Sequence, residues 1–109
     1  MRKSAMKEEE KKEGEYIPEI RDVCYSRAEK YLNQFITSEA DGMVRLWEVS
    51  ERGKKRRIKP KAQCQIGKGS LEACHIEPKE GKLIAVGGLD TDVYVYAINP
   101  DTKKKEEVN

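Results

Sequence analysis

Hydrophobic positions in the middle of the chain alternate with polar ones at a period of two. The clearest run is Met43-Val44-Arg45-Leu46-Trp47-Glu48-Val49. It places Val44, Leu46 and Glu48 on one side and Met43, Arg45, Trp47 and Val49 on the other, the pattern of a β-strand. Gln34-Phe35-Ile36-Thr37 is a preceding strand. Between the two lies Glu39-Ala40-Asp41-Gly42, whose Asp-Gly pair predicts a hairpin turn. Upstream, Ile20–Tyr25 reads as a further strand, followed by a polar turn region from Arg27 to Asn33. Residues 50–61 are polar and basic and contain Gly53 and Pro60, so they are predicted as a long loop. Ala62–Ile66 reads as a short strand, broken by Gly67-Lys68-Gly69-Ser70. Strands are then predicted at Leu71–Ile76, Lys82–Val86 and Asp92–Ile98, with turns at Glu77–Gly81 and Gly87–Thr91. Asn99-Pro100-Asp101 closes this region.

The pattern repeats. Asp41 and Asp90 are 49 residues apart, as are Trp47 and Tyr96, Val44 and Val93, and Leu46 and Val95. In the first strands, Val23-Cys24 matches Ala73-Cys74 at an offset of 50, which one residue of slippage in a turn reconciles.

Thr37-x-x-x-Asp41-Gly42-x-Val44-Arg45-Leu46-Trp47 resembles the end of a WD40 repeat, and the resemblance extends over residues 17–100. It implies an all-β chain of about two four-stranded antiparallel WD40-type β-propeller blades that form an incomplete ring. Thr37, Asp41, Gly42, Trp47, Asp90 and Tyr96 would then be structural. The turn Asp would accept backbone hydrogen bonds, and the Trp would fill space between blades. The chain departs from the family pattern at several points. No Gly-His dipeptide precedes either first strand, Val86 stands in the place of Thr37, Tyr96 replaces the Trp, and Glu48 follows Trp47 where Asp is usual. The period also exceeds the usual ~40–45 residues. The expected division is a charged tail at 1–16, a first blade at 17–67 with a basic loop at 51–61, an incomplete second blade at 68–100, and a charged tail at 101–109. Two blades leave sheet edges and apolar faces open. This implies a fragment or a partner-completed piece, ahead of self-assembly into a ring.

Composition agrees with this division. Of 109 residues, 37% are hydrophobic and 39% charged, and the charge is concentrated at the two ends, so the central region carries the core. Three cysteines, Cys24, Cys64 and Cys74, with no C-x-x-C pair, predict neither a disulfide framework nor a zinc site of standard spacing. No apolar run approaches the ~20 residues of a membrane span, and the first residues lack the apolar core of a signal peptide. The expectation is a soluble cytoplasmic or nuclear protein with no cofactor, no metal and no membrane partner.

The basic stretch Arg52, Lys54, Lys55, Arg56, Arg57, Lys59 and Lys61 is the most distinctive candidate interaction feature. It has the composition of a solvated loop, a nuclear-import signal or a phosphate-contacting patch, and it lacks the interleaved aromatics that base stacking needs. His75 follows Cys74 in a predicted strand, where neighbours point to opposite sides, so they do not form a catalytic pair. Gly87-Gly88 lacks the spacing of a phosphate loop. The leading functional expectation is a protein–protein interaction scaffold within a larger complex, not an enzyme. The alternative is a nuclear or nucleolar propeller in RNA–protein assembly that uses the basic stretch. A lesser alternative is an actin-interacting propeller, which the segment from Val86 to Tyr96 resembles.

Overall fold

The computed structural model of the chain describes residues 19–90 and 92–101. The two charged tails expected at 1–16 and 101–109 lie outside the described residues, except for Asp101. The fold is all-β. Four strands, β1 (Ile20–Tyr25), β2 (Gln34–Glu39), β3 (Met43–Arg52) and β4 (Lys55–Gln65), form one antiparallel sheet in sequence order. Three more, β5 (Leu71–Ile76), β6 (Leu83–Gly88) and β7 (Val93–Ala97), form a second. The sheet over the second expected unit has three strands among the described residues. The polar turn region contains one 3-10 turn at Glu29–Tyr31.

The predicted basic loop at 51–61 is corrected by the structure. Residues 43–52 and 55–65 are two long paired strands, joined by Gly53-Lys54 alone. Gly53 takes a φ of 61°, the first position of a type II′ turn, whose twist matches that of a hairpin. The charge run concealed a strand pattern: Val49 pairs with Ile58 and Trp47 with Pro60. Proline is tolerated here because β4 is an edge strand, and one residue, Lys61, is bulged out between Ala62 and Pro60. The short strand expected at Ala62–Ile66 is the end of this longer β4.

The repeat is confirmed in the registers. Ile36 pairs with Leu46, and Ala85 with Val95; Thr37 pairs with Arg45, and Val86 with Tyr94. Each pair lies 49 residues from its counterpart. The first strands, however, align at an offset of 51 and not 50. Cys24 pairs with Ile36 and His75 with Ala85, so Cys24 corresponds to His75 rather than to Cys74. A slip of one residue would exchange the two faces of a strand. The connection at 26–33 is two residues longer than that at 77–82, which accounts for the change in offset.

The sheets pack through facing apolar sides. Ile36, Val44 and Leu46 of the first sheet meet Leu71, Cys74, Ile76, Ile84 and Val86 of the second, with Ile66 from the linker. β5 lies against β1 and β2, and the outer strands diverge. A cleft between Leu46, Ala62 and Cys64 on one side and Ile84, Tyr96 and Ile98 on the other marks the divergence. At the other end of the interface, Gln34 and Asn99 form a buried reciprocal amide pair, with hydrogen bonds of 3.0 and 2.8 Å. Asn99 also donates to the Gly81 carbonyl.

The edges of β1 and β5 run side by side without ladder pairing. Both strands carry a bulge, at Arg21 and Glu72, and these two side chains form an ion pair across the seam. Asp22 accepts the backbone N–H of Cys74 at 3.0 Å, so an edge donor of β5 is satisfied by a side chain of β1.

Ile36 is fully buried at the centre of the interface. Ile36→Ala is expected to lower unfolding stability by about 2–5 kcal/mol, read from the midpoint of urea denaturation. An unchanged midpoint would mean that the two sheets do not depend on this packing.

Candidate functional site

The residues singled out by spacing fall into two groups in space. The first surrounds the turn between β2 and β3. Asp41 accepts the N–H of Met43 at 3.1 Å, closing the turn as expected. Gly42 has a φ of 86°, and a Cβ there would stand 2.6 Å from the Gly67 carbonyl oxygen, so glycine is required twice over. Asp90 repeats the device 49 residues later, accepting the N–H of Asp92 at 3.2 Å. It also accepts the Tyr94 hydroxyl at 3.1 Å, a bond that raises the Tyr94 pKa.

The indole N–H of Trp47 donates to the Thr37 hydroxyl at 3.0 Å, and that hydroxyl donates to the Glu39 carboxylate at 3.3 Å. Glu39 is only 2% exposed. Burial raises its pKa, against the opposing attraction of Arg45, whose Nε lies 3.6 Å away. Sequence reasoning missed Glu39. The available signal was its place two residues after Thr37, on the same face of β2. Trp47 lies on the side of the first sheet turned away from the second and does not fill the space between the two. There it stacks on Phe35 at a centroid separation of 6.2 Å, and Phe35 contacts Tyr25 at 5.3 Å, making a row across three strands. Tyr96, its counterpart by the repeat, lies in the cleft between the sheets.

Both outward faces carry exposed apolar side chains, and the groove on the first also has Asn33, Glu51 and Arg56 in its wall. On the first sheet, Tyr25 (67% exposed) and Ile58 (57%) border a groove with Leu32, Phe35 and Val49. On the second, Val93 (72%) and Val95 (62%) stand beside Leu83 and Ala85.

The second group is the basic stretch, which the structure turns from a loop into an arm. β2 ends its pairing at Gln34 opposite Glu48, so β3 and β4 continue beyond it as a two-stranded ribbon. Cross-strand pairing puts Arg52 opposite Lys55, and Arg57 opposite Ser50, on the face that also carries Lys59. These five residues line one hollow. Arg56 is on the reverse face, paired with Glu51 at 2.9 Å, and Lys61 lies 3.7 Å from Glu48. Lys54 is in the turn.

Cys74 is buried and His75 exposed, on opposite faces as expected. Burial pushes the Cys74 thiol up to about 11, so it is un-ionised at neutral pH. His75 instead approaches Cys24, with Nδ1 at 3.9 Å from Sγ. Among the described residues, no group of three or more His, Cys, Asp or Glu side chains is placed to hold a metal ion. No helix among them is long and apolar enough to cross a membrane.

Because the folded chain holds Glu39 at a raised pKa, its ionisation opposes folding. The penalty is absent below the ordinary carboxylate value of 4.5 and grows as pH rises through that value to the raised one. Glu39→Gln is therefore expected to have a higher Tm than the parent chain at pH 7, with the difference shrinking as pH falls below the ordinary value. A difference independent of pH would show that Glu39 is not under this strain.

Comparison of the chain with family models, with curated proteins and with solved structures gives no match.

Proposed function

We propose that the chain supplies two consecutive blades of a WD40-type β-propeller and works as a protein–protein interaction scaffold, docking further sheets of the same kind provided by another polypeptide. The observation that carries this reading is the equivalence of faces. By the 49-residue repeat, Ala85 and Val95 on the outward face of the second sheet correspond to Ile36 and Leu46 on the inward face of the first. Conversely, Phe35 and Trp47 on the outward face of the first correspond to Ile84 and Tyr96 on the inward face of the second. Each outward face is thus the counterpart of one half of the packed interface between the sheets. A further sheet could add at either side in the same geometry, which is the principle of a propeller. The hydrogen bond from Trp47 to Thr37, and the twin Asp turns at Asp41 and Asp90, add support from the residues that carry the resemblance. Glu39 accepts from Thr37 where the fullest family pattern has a histidine.

Exposed apolar faces of this extent favour association over solvation. Light scattering across a concentration series of the purified chain is expected to give a mass above that of the monomer. Val95→Asp, which sets a charge in the middle of one outward face, is expected to reduce that mass while leaving the β-sheet circular-dichroism signal intact. Association untouched by Val95→Asp would overturn the proposal, because docking would then not use the outward face of the second sheet.

A further inference from the structure

The proposed scaffold makes no use of the β3–β4 arm, which carries the strongest local charge of the chain. Residues 49–61 include seven Lys and Arg side chains and one carboxylate, Glu51, for a net charge of +6. The strand pairing sorts this charge. Glu51 neutralises Arg56 on the reverse face; the face with Arg52, Lys55, Arg57 and Lys59 carries Glu48 at its sheet-proximal end, opposite Lys59 and 3.7 Å from Lys61, and no carboxylate lies within ion-pair distance of these four among the described residues. Lys55, Arg57 and Lys59 alternate along one strand and so stand at a regular spacing of about 7 Å. Arg52 flanks them from the other strand.

We infer that this face binds the phosphate backbone of a nucleic acid, without reading its sequence. The argument rests on shape and on what each face carries. An evenly spaced row of cations matches a regular polyanion, and the guanidinium groups of Arg52 and Arg57 can take two phosphate oxygens each. A two-stranded ribbon is also narrow enough to enter the major groove of a B-form duplex. Among the described residues no aromatic side chain lines the basic hollow, so it offers bases no aromatic ring to stack on. An anionic membrane fits less well. Interfacial binding places apolar side chains in the bilayer beside the cations, yet the apolar residues of the arm, Val49 and Ile58, point to the opposite face.

Fluorescence anisotropy of the full chain with a labelled duplex DNA, and separately with a labelled single-stranded RNA, tests the inference. Binding to either supports it, and the two probes show which backbone is preferred. With four phosphate contacts, affinity for the duplex is expected to fall on the order of a hundredfold between about 50 and 200 mM salt. Arg57→Gln should weaken binding several-fold and reduce the magnitude of the salt slope by about one. Arg56→Gln, the same change on the reverse face, should leave Kd within about twofold. Circular dichroism of both exposed variants confirms that the fold is kept. Equal losses for the two variants would overturn the inference, because binding would then follow net charge and not the face. Absence of binding to both probes at low salt would also overturn it, as would binding confined to phosphatidylserine vesicles.

Discussion

The packing of one sheet face on another is the constraint from which the rest of this structure follows. Among the described residues, neither sheet has a helix or a second layer of its own to cover its apolar side. Ile36, Val44 and Leu46 are removed from water only because Cys74, Ile76, Ile84 and Val86 lie across from them. A lone antiparallel meander of three or four strands exposes such residues, and a domain of this size buries too little surface to tolerate the loss. The repeat meets this requirement with two copies of one pattern, the inward face of each copy serving as the complement of the other. The same economy leaves exposed apolar side chains on the two outward faces. A repeat of this kind satisfies its own interface internally and carries an unsatisfied half at each end.

The contact of the first strands is handled by different chemistry. Apolar packing alone would leave two strand edges adjacent, each with free donors and acceptors. Bulges at Arg21 and Glu72 interrupt the regular edges, and the two bulged side chains meet. That ion pair is partly exposed and contributes little energy by itself. Asp22 matters more, because it accepts a backbone donor of β5 that ladder pairing leaves open. The buried Gln34–Asn99 pair plays a similar part at the far end, where an apolar contact would have allowed sliding.

Two strands carry both halves of the biology proposed for this chain. The first part of β3 is buried and alternates apolar with polar residues, while its continuation with β4 is exposed and cationic. The boundary falls at Glu48, where pairing with β2 stops. Beyond it Val49 is still hydrogen-bonded to Asn33, and the alternation of the ribbon separates a basic face from one with Val49, Ile58 and the Glu51–Arg56 pair. The bulge at Lys61 and the edge position of Pro60 set where the arm leaves the sheet. Scaffold and charged arm are consequently joined by continuous hydrogen-bonded strands and not by a flexible link.

Much of the fold was legible in the residues. Period-two alternation, the Asp-Gly turn and the 49-residue repeat specify the strands, the hairpin and the duplication, because each is a local property of backbone geometry and side-chain size. The basic stretch was legible as charge but not as structure. Its apolar members, Val49, Ile58 and Pro60, are too few to signal a strand until their partners are known. The offset between first strands was misjudged for a related reason. Matching Cys24 with Cys74 uses residue identity, whereas the pairing partners Ile36 and Ala85 show that Cys24 and His75 are equivalent. Outside the basic stretch, residue types and their spacing determined which segments extend and where they turn. Which face of each strand is covered, the burial of Glu39 beside Thr37, and the sorting of cations onto one side of the arm were decided by strand registers and by the packing of one sheet on the other, which residue identity within a single segment does not set.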